Sequence, residues 1–250
     1  MGATNVIFSA TNALNKWLKL DLPRIPSSDG KRIGTQPLLT DTVTLSWQCH
    51  VVENAYQSGK YTVIAVESYS RFTMLLPFDY APKQDELQQA LCFQWIYSLF
   101  ELMADNGAVG WECEQQVVDQ FYQGLNDICW YRNTDLSING HVADAEQWVK
   151  QTLNDQGKNE LDDDLVFDLA HHINSMFKRA PASSGKKVKF YPVPRFINDG
   201  LFRFAKGLSE FKYEGAVAGD FLNPYDLNTV KQTKPDNVVS LADYALRKNK

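Results

Sequence analysis

Cysteine is scarce in this 250-residue sequence, and the four cysteines that it has are widely spaced. The closest two, Cys113 and Cys129, are 16 residues apart, so there is no CxxC pair and no zinc-ribbon spacing. Cys49, Cys92 and Cys129 have large apolar neighbours. Because buried free thiols are usually found among such neighbours, we expect four reduced, structural cysteines in a reducing compartment.

The sequence also lacks targeting segments and the commonest catalytic motifs. Its first residues show no basic start followed by an apolar run, and no stretch approaches the roughly 18 uninterrupted apolar residues that a membrane span needs. We therefore predict a cytoplasmic protein with no membrane partner. There is no GxSxG element and no glycine-rich phosphate loop. Serine-nucleophile and Walker-type nucleotide chemistry are disfavoured, and no cofactor is predicted.

What the sequence does contain is enough apolar material for a sizeable core. Hydrophobic residues make up 44% of the chain and charged residues 22%, a composition that excludes a disordered chain. The formal net charge is −5 at pH 7, so any nucleic-acid contact must come from a local basic patch. A change in character after residue 180 predicts an α+β domain, residues 1–180, and a basic, aromatic C-terminal extension, residues 181–250.

Local patterns predict that the α+β domain is an antiparallel β-meander backed by helices. Two β-prone runs, 42–55 and 61–68, are joined through Ser58 and Gly59, which suits a hairpin, and a third run at 71–78 continues the meander. A shorter apolar run at 5–10 precedes a helix. Apolar residues at helical spacing predict the covering helices at residues 85–106, 112–125, 133–153 and 164–178. No long helix is expected in the extension before its last residues.

Acidic and basic residues are segregated along the chain. Residues 135–168 contain nine acidic and two basic residues, net −7, whereas residues 178–212 contain nine basic and two acidic residues, net +7. Aromatic residues alternate with the bases, a mixture that suits single-stranded nucleic acid. The candidate nucleic-acid residues are Lys186, Lys187, Lys189, Arg195 and Arg203. The alternative, which we favour, is that these bases pair with the acidic stretch or are simply solvated.

A second candidate site is an Asp-Leu-Ala-His-His segment on the helix predicted at 164–178. Asp168 stands three residues before His171 and four before His172, so a carboxylate and one imidazole can share a helix face. That spacing allows a metal or acid–base site, with Asp162, Asp163 and Asp164 as further oxygen ligands. It matches no recognised metal signature, and surface decoration is the alternative that we favour.

Several short motifs occur in a characteristic order along residues 5–153. A strand ending in a small residue and threonine comes first, and a Trp-Gln-x-His strand, a strand followed by Ser-Arg-Phe and a long helix come next. The last motif is an Asn-x-Asp-x-Ser-x-x-Gly turn that opens a helix. The polar positions that these motifs supply are Trp47, His50, Arg71, Asn133, Asp135 and Ser137. In this order the chain resembles a bacterial domain-of-unknown-function family of small stand-alone α+β proteins.

The resemblance implies the same α+β plan but brings no established activity with it. Family members commonly have an arginine before the serine of the last motif, where this chain has Leu136. We expect the six polar positions to line one surface where strand ends meet the start of a helix. Side chains of Asn, Asp and Ser at a helix start can hold a ligand's polar group or cap the helix themselves, and we favour capping.

These observations favour a non-catalytic interaction or regulatory protein. Its predicted partner is a protein or a small polar ligand, with nucleic acid possible through residues 178–212. The alternative from another class is a metal-dependent hydrolase or nuclease that uses Asp168, His171 and His172 on nucleic acid or nucleotides.

Overall fold

A computed structural model describes residues 3–27, 29–181 and 187–208, in which five strands form one mixed sheet. The spatial order is β4-β3-β2-β1-β5. β1 runs parallel to both of its neighbours, β2 and β5, whereas β2, β3 and β4 are antiparallel to one another. The strands are β1 (Thr4–Ala10), β2 (Thr44–Glu53), β3 (Tyr61–Glu67), β4 (Thr73–Phe78) and β5 (Leu125–Arg132).

The predicted antiparallel meander is confirmed for β2, β3 and β4, but it is wrong for the sheet as a whole. β1 lies between β2 and β5, and both pairings are parallel. Parallel neighbours need a long crossover, which here is supplied by the segment between β1 and β2 and by the helices between β4 and β5. Hairpin signals are local, whereas these crossovers leave no local sequence signal.

Helices cover both faces of this sheet. On one face, the first apolar core includes Phe8, Trp47, Trp95, Phe121 and Phe204. On the other face, α4 and α5 enclose a second apolar core, so the domain has three layers. The helices are α1 (Asn12–Trp17), α2 (Gln84–Asp105), α3 (Glu114–Gly124), α4 (Leu136–Gln156), α5 (Asp163–Ser175) and α6 (Pro192–Phe204).

The long helix α2 follows the predicted apolar stripe. Leu87, Leu91, Trp95 and Leu99 recur at intervals of four residues and are buried. The ring of Trp95 packs edge-on against Trp47 of β2 at a centroid distance of 5.5 Å. One face of α2 therefore packs on this side of the sheet, together with α1, α3 and α6.

The C-terminal extension contains a helix that sequence analysis did not predict. In α6, Phe196 stacks on Phe72 with ring centroids 3.9 Å apart, and Phe204 is fully buried beside Trp95. Gly200 allows the close approach, because a Cβ atom there would lie 2.3 Å from Leu99. The described part of the extension is therefore packed into the first core.

A second, two-stranded sheet connects α5 to α6. It consists of β6 (Lys178–Pro181) and β7 (Lys187–Phe190), which pair in antiparallel register. The remainder of the extension, from residue 209 onward, lies outside the described residues. No helix in the described ranges is long and apolar enough to cross a membrane.

All four cysteines are free, as predicted, but they are not all buried. Cys49 and Cys92 are buried, Cys113 is partly buried and Cys129 is exposed. Cys129 lies on β5, which has a pairing neighbour on one side only. The apolar neighbours of Cys129 in the sequence are thus not its neighbours in the fold, because alternate side chains of a strand face opposite ways.

Candidate functional site

Four of the six predicted polar positions, Arg71, Asn133, Asp135 and Ser137, lie at or beside the turn between β5 and α4, and several of them serve the fold itself. The side chain of Asn133 bonds to Gln36 twice, accepting from its backbone N–H at 2.7 Å and donating to its carbonyl at 2.9 Å. Asp135 caps α4 by accepting from the backbone of Ser137, and its other oxygen accepts from the backbone of Leu38. The favoured interpretation, capping, describes Asp135, whereas Asn133 holds the loop at Gln36.

Two of the predicted binding residues lie away from this turn. Trp47 is fully buried on the opposite face of the sheet, in the first core. His50 bonds through Nδ1 to the Thr11 hydroxyl at 2.9 Å, and its Nε2 lies 3.5 Å from a carboxylate oxygen of Glu146. Burial lowers the pKa of His50, while Glu146 opposes that shift. Neither residue contacts the start of α4.

Arg71 reaches the start of α4 from the turn between β3 and β4. Its backbone is in the left-handed region, with φ at 59°, a strained conformation for a residue other than glycine. The side chain is 6% exposed. Its guanidinium donates to the carbonyl of Ser68 and, at 3.4 Å, to the hydroxyl of Ser137, while its Nε atom is buried without a partner.

The turn that presents Arg71 is organised by the buried carboxylate of Glu67. This carboxylate accepts from the Thr40 hydroxyl and from the backbone and hydroxyl groups of the turn. Glu67 is close enough to favour the charged form of Arg71, as is Asp135, but burial is the larger effect and lowers the pKa of Arg71. Both carboxylates are thus occupied by other donors.

His141 lies one turn along α4 from Ser137, on the same helix face. Its Nδ1 atom is buried and has no hydrogen-bond partner. Burial, together with the neighbouring charges of Arg71 and Lys178, lowers the pKa of His141 to about 4. The imidazole is therefore neutral at pH 7.

Lys178 and Arg195 bring two more buried positive charges to this region. Lys178, on β6, is 6% exposed, and burial lowers its pKa although Asp144 opposes the shift. Arg195, near the start of α6, has its guanidinium 3.4 Å from the centre of the Phe190 ring and donates to the carbonyl of Tyr69. Burial lowers the pKa of Arg195, and the nearby charge of Arg71 contributes to the shift.

We call Arg71, His141, Lys178 and Arg195, together with the Ser137 hydroxyl, the cationic cluster. Within the described ranges, no carboxylate oxygen lies within 4 Å of a side-chain nitrogen of Arg71, Lys178 or Arg195. Arg203 is arranged differently, since its Nε atom contacts the carboxylate of Asp199 at 2.9 Å in a fully buried pair. The cluster thus gathers three buried cations without a contacting counter-ion.

Sequence analysis found only part of this cluster. The motif order pointed to Arg71 and Ser137, whereas Arg195 was assigned to nucleic acid and His141 and Lys178 were missed. His141 does follow Ser137 at i+4 on the predicted helix, which is the one local signal available. Leu136 is 71% exposed, and the side chain that contacts Ser137 is that of Arg71.

The Asp168, His171 and His172 segment does not form a converging site. All three side chains are exposed on α5. His172 packs edge-on against Trp148, and His171 stacks on Phe167. In the part of the chain that the structure describes, no three His, Cys, Asp or Glu side chains are grouped to hold a metal ion.

The five candidate nucleic-acid residues are not gathered on one exposed face. Arg195 and Arg203 are buried, while Lys189 is exposed with its ammonium 4.7 Å from the centre of the Phe177 ring. Lys187 begins β7, and Lys186 lies outside the described residues. Lys189 and Arg179 both lie over the Phe177 ring, at 4.7 Å and 5.7 Å from its centre, so the exposed bases here already contact an aromatic ring of the chain itself.

The expected pairing of the basic stretch with the acidic stretch is likewise not what the structure shows. Asp162 caps α5 and pairs with Lys158 at 2.6 Å, within the acidic stretch itself. Among residues whose side chains are described, no ion pair joins the two stretches. The bases are divided between burial in the cationic cluster, the Asp199–Arg203 pair and the surface.

The fold and the cluster together define a three-layer α+β protein with buried cations at a helix start. Comparisons of the chain with protein-family models, with curated proteins and with solved structures each find no match.

Proposed function

We propose that this is a non-catalytic binding protein whose ligand is a small anion held in the cationic cluster at the start of α4. One observation carries the proposal: Arg71, Lys178 and Arg195 are all buried, and no carboxylate oxygen of the described chain lies within 4 Å of their side-chain nitrogens. The charge of Arg71 acts on Arg195 and on His141, and that of Lys178 also acts on His141. A small anion is the small polar ligand that the motif positions predict.

The energetic argument is the cost of burying charge. Removing an ammonium or guanidinium group from water costs several kcal/mol unless a counter-ion and hydrogen bonds offset it. The hydrogen bonds of Arg71 go to a carbonyl and a hydroxyl, and that of Arg195 goes to a carbonyl, so all three acceptors are neutral. An anionic ligand supplies a contacting negative charge, whereas Glu67, Asp135 and Asp144 act on these cations only at longer range.

The position at α4 adds to this attraction. α4 has 21 residues, and the N-terminus of a helix favours negative charge. Asp135 already accepts from the Ser137 backbone, so the contribution of the helix is its dipole and the Ser137 hydroxyl rather than that N–H. Arg71 is the second, independent feature, because it is buried, contacts Ser137 and has an unpartnered Nε.

Nothing in the described residues supports the alternative of a metal-dependent hydrolase, since Asp168, His171 and His172 are exposed and do not converge. The bacterial family resemblance, the cytoplasmic location and the nucleic-acid partner stay predictions. Burial of Arg195 and Arg203 weakens the case for a nucleic-acid partner, because these two bases are not available to contact phosphates.

Anion binding is tested by thermal unfolding and isothermal titration of the full chain against phosphate, sulfate and acetate. At 100 times Kd, a ligand stabilises the folded state by about 2.7 kcal/mol, which corresponds to a Tm increase of about 5–10 °C for a chain of this size. Arg71→Met should abolish the increase for every anion that binds.

Arg32→Met is the matched control, because Arg32 is exposed and also has a left-handed backbone, with φ at 52°. It should bind anions as the unmodified protein does. If none of the three anions binds the unmodified chain, or if Arg71→Met binds them unchanged, the proposal is wrong.

A further inference from the structure

Three large aromatic side chains are exposed on the outer surface of α2 and of the 3₁₀ helix Trp111–Cys113. Phe93, Tyr97 and Trp111 have exposed fractions of 64%, 50% and 55%. The rings of Phe93 and Tyr97, one helical turn apart, lie nearly parallel with their centroids 6.2 Å apart. Phe100 continues the same side of α2, and Trp111 packs edge-on against it at a centroid distance of 5.5 Å. We call the three exposed rings the aromatic face.

The aromatic face lies within a strongly acidic part of the chain. Residues 84–124 contain no lysine, arginine or histidine, and their seven acidic residues are Asp85, Glu86, Glu101, Asp105, Glu112, Glu114 and Asp119. Glu112 is next to Trp111 in the chain, and Glu101 stands one turn after Tyr97 on α2. In the described ranges, none of the seven forms an ion pair. Exposed rings with unpaired negative charge around them fit a partner that is both apolar and basic.

The chain itself contains a segment of this chemistry at residues 238–250, which lie outside the described residues. Apolar residues at 238, 241, 242, 245 and 246 have the i, i+3, i+4, i+7, i+8 spacing that predicts an amphipathic helix. The segment has three basic residues, Arg247, Lys248 and Lys250, and one acidic residue, Asp243. A short helix of this pattern is stable only when its apolar stripe packs against another surface.

The last described residues lie beside α3, which begins three residues after Trp111. Lys206 exchanges two hydrogen bonds with the side chain of Gln120 on α3, at 3.1 and 3.2 Å, and Leu208 packs against the first core. Residues 209–237 can span up to about 100 Å when fully extended, whereas α3, with 11 residues, is only about 16 Å long. The segment can therefore reach the aromatic face of its own chain, and the tether makes that encounter intramolecular.

We propose that residues 238–250 bind the aromatic face as an amphipathic helix, with the apolar stripe on the three rings and the basic end beside the acidic residues of 84–124. Burial of apolar area on both sides supplies the binding free energy, and opposite charge fixes the orientation. The aromatic face is then closed to other partners until this segment is displaced. The inference is independent of the proposed anion-binding function, because it shares no residue with the cationic cluster.

Hydroxyl-radical footprinting of the full chain, read by mass spectrometry, measures how accessible each ring is. In a double variant with Leu241→Glu and Leu246→Glu, the apolar stripe is lost, so oxidation of the three rings of the aromatic face should rise several-fold. Tyr56 and Tyr80, which are exposed elsewhere, serve as internal references and should not change. Leu222→Glu with Leu227→Glu is the matched control, because it places the same charges at the same spacing in residues 209–237.

A second variant tests the electrostatic part and leaves the apolar stripe intact. Arg247→Glu with Lys248→Glu places negative charge next to the acidic residues of 84–124, so the same three rings should again become more accessible. Repeating the footprinting on the unmodified protein at a tenfold lower concentration distinguishes the occupants. Binding by the chain's own segment is intramolecular and should protect the rings equally at both concentrations.

The inference is overturned if oxidation of the aromatic face is the same in the unmodified protein and in both segment variants, since the rings are then free for a different partner. It is also overturned if the control pair exposes the rings as much as Leu241→Glu with Leu246→Glu does. Protection that is lost on dilution would assign the face to a second copy of the chain instead.

Discussion

Replacement of Lys178 by methionine should stabilise the ligand-free protein while it abolishes anion binding. Lys178 is 6% exposed, and in the described chain it has no carboxylate within 4 Å. Methionine retains an unbranched apolar stem of similar length and removes the ammonium group. The folded state then no longer bears the cost of burying an unpaired charge, and the cluster loses one of its three cations.

The magnitude follows from the environment of the ammonium group. Replacing buried charged groups by apolar residues of similar volume stabilises by about 1–4 kcal/mol in favourable cases. Because Asp144 offsets part of the cost here, we expect the lower half of that range, about 1–2 kcal/mol. For a chain of this size each kcal/mol shifts the Tm by about 2–4 °C, so Lys178→Met should melt about 2–8 °C higher.

The pH dependence gives this prediction a second signature. Burial lowers the folded-state pKa of Lys178 below its ordinary value of 10.5. The unfolded state therefore binds more protons between the two pKa values, and the stability of the unmodified protein rises with pH in that window. The stability advantage of Lys178→Met over the unmodified protein should therefore be larger at pH 7 than at pH 10, and it should shrink as the pH approaches 10.5.

Thermal unfolding at pH 7 and pH 10, in buffers free of phosphate and sulfate, measures both effects. Lys189→Met is the matched control from the neighbouring strand, since Lys189 is exposed and contacts the Phe177 ring. Loss of that cation–π contact should lower stability by less than about 1 kcal/mol. A Lys178→Met protein that is less stable than the unmodified one at pH 7 would show that the charge is already compensated, and the reasoning would be refuted.

Three further predictions test the fold around the cluster. Phe204→Ala should lower the free energy of unfolding by about 3–5 kcal/mol in denaturant titration, because the ring is fully buried; a loss below 1 kcal/mol would show that α6 does not pack in the core. Asp199→Ala should cost a similar amount, about 3–5 kcal/mol, because it leaves Arg203 charged, buried and without its carboxylate. In native protein a thiol reagent should label exposed Cys129 rapidly and spare Cys49, whose thiol pKa is raised by burial; rapid labelling of Cys49 would contradict the fold.

The sequence predicted those parts of the fold that are set by neighbouring residues. The β2–β3–β4 meander and the apolar stripe of α2 follow from alternation, a hairpin turn and helical spacing. The position of β1 between β2 and β5 was not predictable in this way. The position of β1 depends on where two long crossover connections bring the chain back to the sheet. The path of such a connection is set by packing rather than by neighbouring residues.

The helix α6 was missed because its strongest local signals are those of a helix breaker. Pro192, Pro194 and Gly200 lie within 13 residues, and such residues usually mark turns. In the structure proline occupies the first turn, where a missing N–H is tolerated, and Gly200 allows close contact with Leu99. The prolines and the glycine are therefore tolerated in this helix for reasons of position and packing, which cannot be read from the local sequence.

Only part of the candidate site was predicted, because its residues come from elements that are distant in the sequence. Arg71 and Ser137 belong to motifs that are visible in the sequence, but His141 and Lys178 come from separate elements and carry no shared spacing. The net charge of the basic stretch was also counted over the whole segment, whereas in the fold its described bases lie in different places. Arg203 has Asp199 four residues earlier on the same helix, so the fold neutralises it locally.

The different surroundings of Arg203 and Arg195 give the strongest structural support for a ligand at the cationic cluster. The same short helix that supplies a buried carboxylate for Arg203 places Arg195 beside Arg71 with none in contact. Burying either arginine costs free energy, and the chain meets that cost with a fixed counter-ion in one case only. A site whose counter-ion is a ligand requires this second arrangement, because a fixed carboxylate would compete with the anion for the same donors. Under the proposed function, Arg203 is a structural charge and Arg195 is a binding charge on the same helix.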